Sequence, residues 1–266
     1  MSGHTFWDRV GRWLRWCPAR VQAIALRDLK RFWRDPVQWP QSVITFGILG
    51  IYFANLRTLA YDVGTAEWKT LIAFLNFVGL SLSLLSLSIR FLFPEMSLEL
   101  RQLWTLGLTP VSLPRVFRIK CLIHMVNSFL VVCGLLALSN GMLRLERPLA
   151  WFLMGVMMFL VFPLVAIPLG LGARYPQVKE DNPMKVISGL GGTMTFVICL
   201  CDVLLILGGL AFPFVQVATG RVPLEDLWPL LWKVGAAAVA LCLLTGGIAL
   251  QMGAAALRRV EPLLEA

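Results

Sequence analysis

The sequence has few charges, few histidines and none of the common motifs of soluble enzymes. Only 15% of its 266 residues are charged, against about 25% in an ordinary globular domain, so a soluble protein of this size could not cover its surface. Histidine occurs only at His4 and His124, and no H-E-x-x-H is present, which disfavours histidine-based metal or triad chemistry. No G-x-x-x-x-G-K-[ST] occurs either, so the chain has no P-loop to cradle nucleotide phosphates.

The six cysteines do not form a metal-binding pattern, because none belongs to a C-x-x-C pair. Cys199 and Cys201 are two positions apart, so on a helix their side chains point about 200° away from each other. We expect the cysteines to be reduced packing residues, and we expect no metal site.

Apolar residues are abundant instead, at 58% of the chain with a mean hydropathy of +0.75. A membrane-spanning helix needs about 20 mostly apolar residues. The sequence therefore predicts an all-α integral membrane protein, with a cytoplasmic N-terminal region at 1–38, a membrane domain at 39–257 and a tail at 258–266. Six stretches qualify as spans: 39–56, 70–93, 121–143, 149–172, 192–217 and 230–257.

The distribution of basic residues predicts the orientation of these spans. The net charge is +9, and 18 of the 24 Lys and Arg residues fall in the N-terminus, 90–120, 174–185 and the C-terminus. Only six fall in the opposite set of segments. The positive-inside rule then places both termini in the cytoplasm. The same rule explains the excess of basic residues, so this excess is no sign of nucleic-acid binding. We do not expect nucleic acid as a partner.

A basic amphipathic segment precedes the first span. In "RVQAIALRDLKRFWRDPVQW", residues 20–39, apolar positions recur at helical spacing among arginines and lysines. This pattern is typical of a helix lying in the membrane interface, and an ordinary basic flank is the alternative. A proline ends such a helix, and a tryptophan suits the headgroup layer. The residues expected at this point, where the chain turns into the membrane, are Arg34, Asp35, Pro36, Gln38 and Trp39.

Two segments on the predicted cytoplasmic side are more elaborate than simple connectors. One is "FPEMSLELRQLWTLGLTPVSLPRVFRIK", residues 93–120, in which we expect a short helix to begin at Ser97 and a basic helix to begin near 112. Its apolar residues favour docking onto a partner. The other is "ARYPQVKEDNPMKVISGLGGT", residues 173–193, where "EDNP" predicts a turn.

Asp202 lies near the middle of the fifth span. A carboxylate at the bilayer centre costs about 2.5–3.5 kcal/mol on insertion scales, so it should face protein or water. It could line a polar path or serve a proton-linked step, or it could bond a neighbouring helix through Asn127 or Asn76. His124 shares a face of the third span with Asn127, and we expect both to be packing or interfacial groups. Small residues at Ala249 and Gly253 predict close helix packing.

Three stretches carry a family resemblance: "RDLKRFWRDPVQWPQ", "PEMSLELRQLWTLGLTPVSLPRVFRIK" and "YPQVKEDNPMKVISGLGGT". In sequence, order and placement between spans they resemble a group of bacterial ABC-type exporter permeases. The chain looks like the C-terminal six-helix half of longer members. The resemblance implies a permease subunit of the bacterial inner membrane, in contact with lipid, that pairs with a second permease half in a homo- or heterodimer. It also implies a separate ABC ATPase subunit that carries ATP and Mg²⁺, so that this chain binds no cofactor itself.

The resemblance further implies an elbow helix before the first span and a coupling helix between the second and third. The residues implied to contact the ATPase are Glu95, Glu99, Arg101, Trp104, Leu106, Pro110, Glu180, Asp181, Asn182, Pro183 and Lys185.

Other functions remain open alongside this one. A non-catalytic scaffold of a membrane export complex would have a similar sequence. A secondary transporter would need matched intramembrane charges in inverted repeats, and Asp202 has no clear counterpart in the first half. A membrane enzyme is disfavoured because no catalytic cluster is present. The sequence does not specify a transported substrate.

Overall fold

The structure is a computed structural model that describes residues 66–100, 112–177, 183–219 and 227–260, with Gln22, Leu26, Arg27, Lys30, Gly47 and Arg221 as isolated positions. Within these ranges every regular element is a helix. Five helices are long and apolar enough to cross a membrane, and a short sixth helix precedes the fourth of them. The elements are α1 (Ala66–Leu100), α2 (Leu113–Met142), α3 (Arg147–Arg174), α4 (Pro183–Ser188), α5 (Leu190–Ala218) and α6 (Leu227–Val260).

For the described residues the all-α prediction is confirmed, and five of the six predicted spans correspond to helices long and apolar enough to cross a membrane. The five long helices coincide in order with the last five predicted spans, and each extends beyond the predicted bounds at one end or both. The predicted span at 39–56 lies outside the described residues, except for Gly47. The predicted interfacial helix also lies outside them, apart from the isolated positions at 22, 26, 27 and 30.

The prediction that a short helix begins at Ser97 is wrong. α1 continues without interruption through Pro94 to Leu100. A proline inside a helix removes one backbone hydrogen bond, but here Phe93, Met96 and Leu100 are all buried against the core. Packing of the last turns therefore outweighs the lost bond. The other helix start expected in this segment is confirmed, because α2 begins at Leu113, directly after Ser112.

α3 is the centre of the helical bundle and packs against α1, α2, α5 and α6. Its sequence has no charged residue from Pro148 to Ala173. A helix that is apolar on all sides belongs in a core, and 72% of the most apolar window of α3 is buried, compared with 22% for α2. The outer helices, α2 above all, therefore leave much of their apolar surface exposed.

The helices alternate in direction, so that the segments joining them gather at two ends. Phe74 near the start of α1 stacks on Phe214 near the end of α5, with ring centroids 4.6 Å apart. At the other end, the backbone N–H of Gln177 donates to Ser97 Oγ at 3.1 Å. The end of α1 and the residues that follow α3 thus share one end of the bundle. They belong to the basic set that was predicted to share one side.

Glycines allow two close approaches between helices. A Cβ at Gly172 of α3 would lie 2.5 Å from the carbonyl oxygen of Phe93 in α1. A Cβ at Gly253 of α6 would lie 2.9 Å from the Cα of Gly170 in α3, and Gly170 itself lies against the backbone of Ala249. The close packing expected at Ala249 and Gly253 is confirmed, and α3 is the partner helix.

These approaches predict a difference between two glycines of α3. We expect Gly172→Ala to destabilise the protein by about 1–3 kcal/mol, because a methyl group there would push α1 and α3 apart. Gly155 has nothing within 4 Å of its would-be Cβ, so Gly155→Ala should be neutral or stabilise the helix by up to about 1 kcal/mol. Thermal unfolding in detergent compares the two variants, and equal effects would contradict the close approach.

Candidate functional site, a buried ionic cluster

Five ionisable side chains meet at the end of the bundle where α1 finishes and α2 begins. Glu95 and Glu99 are one turn apart on α1, and Lys120 and His124 are one turn apart on α2. Residues four apart project from one face of a helix, so the two acidic groups face the two basic ones. Arg27, from the N-terminal region, completes the set. We call these five residues the ionic cluster.

Lys120 is the centre of the ionic cluster. Its Nζ lies 2.5 Å from Glu95 Oε1 and 2.5 Å from Glu99 Oε2, and its side chain is only 1% exposed. Glu99 also pairs with Arg27 through its other oxygen, Oε1. His124 Nε2 lies 2.8 Å from Glu95 Oε2. Each carboxylate therefore bridges two basic groups.

Burial makes this arrangement interdependent. Moving an ammonium or carboxylate group out of water costs several kcal/mol, and only close, well-placed counter-charges offset that cost. Glu99 is 6% exposed and Lys120 1% exposed, so neither can use water as a substitute partner. Arg27 is about half exposed and adds a charge from the cluster's rim. Two carboxylates and two permanent cations cancel formally, and His124 adds positive charge only when it is protonated.

The cluster ties together segments that are distant in sequence. It joins the last two turns of α1 to the first turns of α2 and to the N-terminal region. The neighbouring Ser97 accepts the backbone N–H of Gln177, which follows α3. Glu99, which precedes residues 101–111 in sequence, and Lys120, which follows them, are thus held together. In the part of the chain that the structure describes, no group of three or more His, Cys, Asp or Glu is placed to hold a metal ion.

The residues predicted to contact an ATPase are only partly described. Glu95 and Glu99 turn into the ionic cluster, Pro183 begins α4, and Lys185 is exposed on α4. Their contact with another protein stays a prediction. Outside the described residues lie Arg101, Trp104, Leu106, Pro110, Glu180, Asp181 and Asn182 of that set, together with Arg34, Asp35, Pro36, Gln38 and Trp39 of the predicted elbow.

The structure changes the interpretation of the intramembrane polar groups. His124 belongs to the ionic cluster and is not a simple packing or interfacial group, whereas Asn127 is exposed. Asn76 donates to Ser139 Oγ of α2 at 2.7 Å. Asp202 is buried beside Thr245 of α6.

Sequence reasoning did not identify Lys120 and Arg27 as members of a site. A usable signal was present, because two acidic residues four apart precede the segment 101–111 and two basic residues four apart follow it. If that segment joins antiparallel helices, the pairs must face each other. For Arg27 the sequence gave no comparable signal, because it is one of several arginines on a basic face.

The fold and the cluster together define a multi-pass helical membrane protein with a buried ionic junction at one end. A family profile described as "Putative ATP-binding cassette" matches residues 4–262 of the chain. The match covers nearly the whole sequence, and the chain belongs to this family. Comparisons with curated proteins and with solved structures gave no match.

This family assignment corrects three sequence predictions. The chain was identified as an exporter permease, as a subunit driven by a separate ATPase, and as lacking an ATPase role of its own. A family described as an ATP-binding cassette overturns all three. The alternatives of a scaffold and a secondary transporter gain no support from it either. The observation behind the predictions is unchanged, because the sequence contains no G-x-x-x-x-G-K-[ST]. The permease prediction rested on the resemblance of three stretches, and the absent motif was the reason for expecting the ATPase on a separate chain.

The cluster's energetics can be tested through Lys120. We expect Lys120→Met to destabilise the protein by about 3–5 kcal/mol, because it leaves two buried carboxylates with fewer counter-charges. Adding Glu95→Gln and Glu99→Gln to that variant should recover much of the loss, since the uncompensated charges are then removed as well. The measurement is reversible unfolding in mixed micelles.

Arg118→Met is the matched control for Lys120→Met. Arg118 lies on the same helix two residues earlier and is exposed, so its replacement should change the free energy of unfolding little. Equal destabilisation by both single variants, or no recovery in the triple variant, would show that the cluster is not an interdependent unit.

Proposed function

We propose that the chain performs an ATP-binding cassette function from within a membrane, as a component of an ABC transport system. The observation that carries this proposal is the extent of the family match. It runs over residues 4–262 and so includes all five helices that could span a membrane. The membrane helices are therefore part of what the family shares.

The ionic cluster is the element through which ATP-dependent movement would reach the helices. Transitions of this kind move packed elements as rigid bodies, which requires that the elements be firmly joined. Lys120 and the two carboxylates join α1 to α2 on both sides of the segment 101–111. A force applied to that segment would then displace two spans together, and α3, which packs on both, would follow.

The location and partners proposed for the chain follow from its charge and its exposed surface. We place it in a bacterial cytoplasmic membrane, with the ionic cluster on the cytoplasmic side and both termini there. Support comes from the 18 basic residues that fall in the segments of that side. Lipid is one partner, because α2 and α5 leave large apolar side chains exposed. Other chains of the same transport system are the second class of partner.

ATP dependence can be measured at the cluster end with a cysteine reporter. In membrane vesicles from cells that express the chain with its natural partners, Arg118→Cys places a thiol on the exposed face of α2 near Lys120. Adding ATP should change the rate at which a polar maleimide labels this thiol, because the junction moves when nucleotide is used. The background carries Cys201→Ser, since Cys201 is an exposed native thiol.

Two further variants decide how the reporter result is interpreted. Lys120→Met in the same background should abolish the ATP response, whereas Lys69→Met, on α1 toward its other end, should preserve it. No ATP response in vesicles that retain the natural partners would overturn the proposed function. An ATP response that survives Lys120→Met would instead separate the cluster from that function.

A further inference from the structure

Asp202 is a buried carboxyl group that the ionic cluster does not include. It lies on α5, is 6% exposed, and its Oδ2 is fully buried without a hydrogen-bond partner among the described residues. Thr245 of α6 lies beside it, and the thiols of Cys199 and Cys242 lie close by. Asp202 thus sits at the contact between α5 and α6.

Two aromatic contacts give the depth of Asp202. Gly191 lies beside the ring of Phe93 at one end of the bundle, and Phe214 stacks on Phe74 toward the other. Asp202 is eleven residues after Gly191 and twelve residues before Phe214. At about 1.5 Å of rise per residue it is about 17 Å from either level, so it lies near the middle of a hydrocarbon core about 30 Å thick.

Among the residues that the structure describes, the helices that pack on α5 bring no basic side chain to this depth. Residues 190–218 of α5 contain Asp202 as their only charged group, and residues 148–173 of α3 and 234–257 of α6 contain none. On α1, residues 70–89 have none, and the next residue, Arg90, is exposed. On α4 the only charged residue is Lys185, at the end of the bundle. The titratable groups that face Asp202 are Cys199 and Cys242.

The hydroxyl of Thr245 is already used as a donor. Thr245 Oγ1 donates to the carbonyl oxygen of Leu241 at 3.0 Å, the usual back-bond of a helical threonine. A hydroxyl has one hydrogen, so its oxygen is left as an acceptor toward Asp202. A carboxylate could not donate to it and would remain a charge without a counter-ion in hydrocarbon, which is costly. A neutral carboxylic acid can donate, and it completes a chain from Asp202 through Thr245 to Leu241.

We propose that Asp202 is an intramembrane proton-binding site, in which the neutral carboxylic acid donates a hydrogen bond to Thr245 and fastens α5 to α6. The proton is the ligand of this site. Its loss leaves an anion between two helices that offer no cation, and the contact between α5 and α6 loosens. The inference does not depend on the ATP-binding cassette function, because it concerns only the state of one side chain in the folded bundle.

Infrared difference spectroscopy reads this state directly. A protonated carboxyl group buried in a protein gives a carbonyl stretch above the amide bands, whereas a carboxylate does not. The spectrum of the wild type minus that of Asp202→Asn should show this band at neutral pH, and Thr245→Val should shift it by removing the acceptor. Asp202→Asn is the matched variant because it keeps the shape of the neutral acid and a donor.

Stability measurements give the second, independent readout. The thermal stability of the wild type should fall as pH rises, because the folded protein holds a proton that an exposed aspartate gives up. The pH-dependent loss of thermal stability should be smaller in Asp202→Asn than in the wild type, and the difference between the two measures the contribution of Asp202. The absence of the carbonyl band in the difference spectrum would overturn the proposal. Stabilisation of the wild type by Na⁺ but not by choline, lost in Asp202→Asn, would also overturn it, because a carboxylate would then be holding a metal cation.

Discussion

The charge of Lys120 can be kept inside this protein only while Glu95 and Glu99 remain beside it. Its ammonium group is 1% exposed and lies 2.5 Å from an oxygen of each carboxylate. Because desolvated charges depend on one another, this one requirement fixes the end of α1 against the start of α2. It also gives the N-terminal region an attachment, since Arg27 pairs with the same Glu99. The end of the bundle is thus organised by electrostatics, which are specific in direction and distance.

The interior of the bundle is organised differently. α3 carries no charge along its buried length and makes its contacts through apolar side chains and glycines. Polar groups packed between the helices, such as Asn76 with Ser139, interact as neutral pairs. The cost of a charge rises toward the centre of a bilayer. This gradient explains why ion pairs are found at the cluster end, and why a lone carboxyl such as Asp202 is accommodated as a neutral hydrogen-bonding group.

The sequence was informative where a single physical property decides the structure. Apolar length predicted five of the described helices, and small residues predicted the contact at Ala249 and Gly253. It was less informative where distant segments meet. Ser97 indicated the start of a new helix, but α1 continues through it, and burial of Phe93 and Met96 outweighs the local signal. Lys120 looked like one basic residue among many, since its burial depends on Glu95 and Glu99, which local patterns do not reveal. The sequence also did not reveal the neighbour of Asp202, because the packing of α5 against α6 determines that neighbour.

The family assignment and the fold restrict the function jointly. An ATP-binding cassette function needs nucleotide phosphates to be held, and this sequence contains no P-loop motif that would hold them in the usual way. The matched region is instead rich in spanning helices. Among these helices the ionic cluster joins α1 and α2 to Arg27 of the N-terminal region. Its buried charges depend on one another, so this end of the bundle is specified by electrostatics rather than by apolar packing alone.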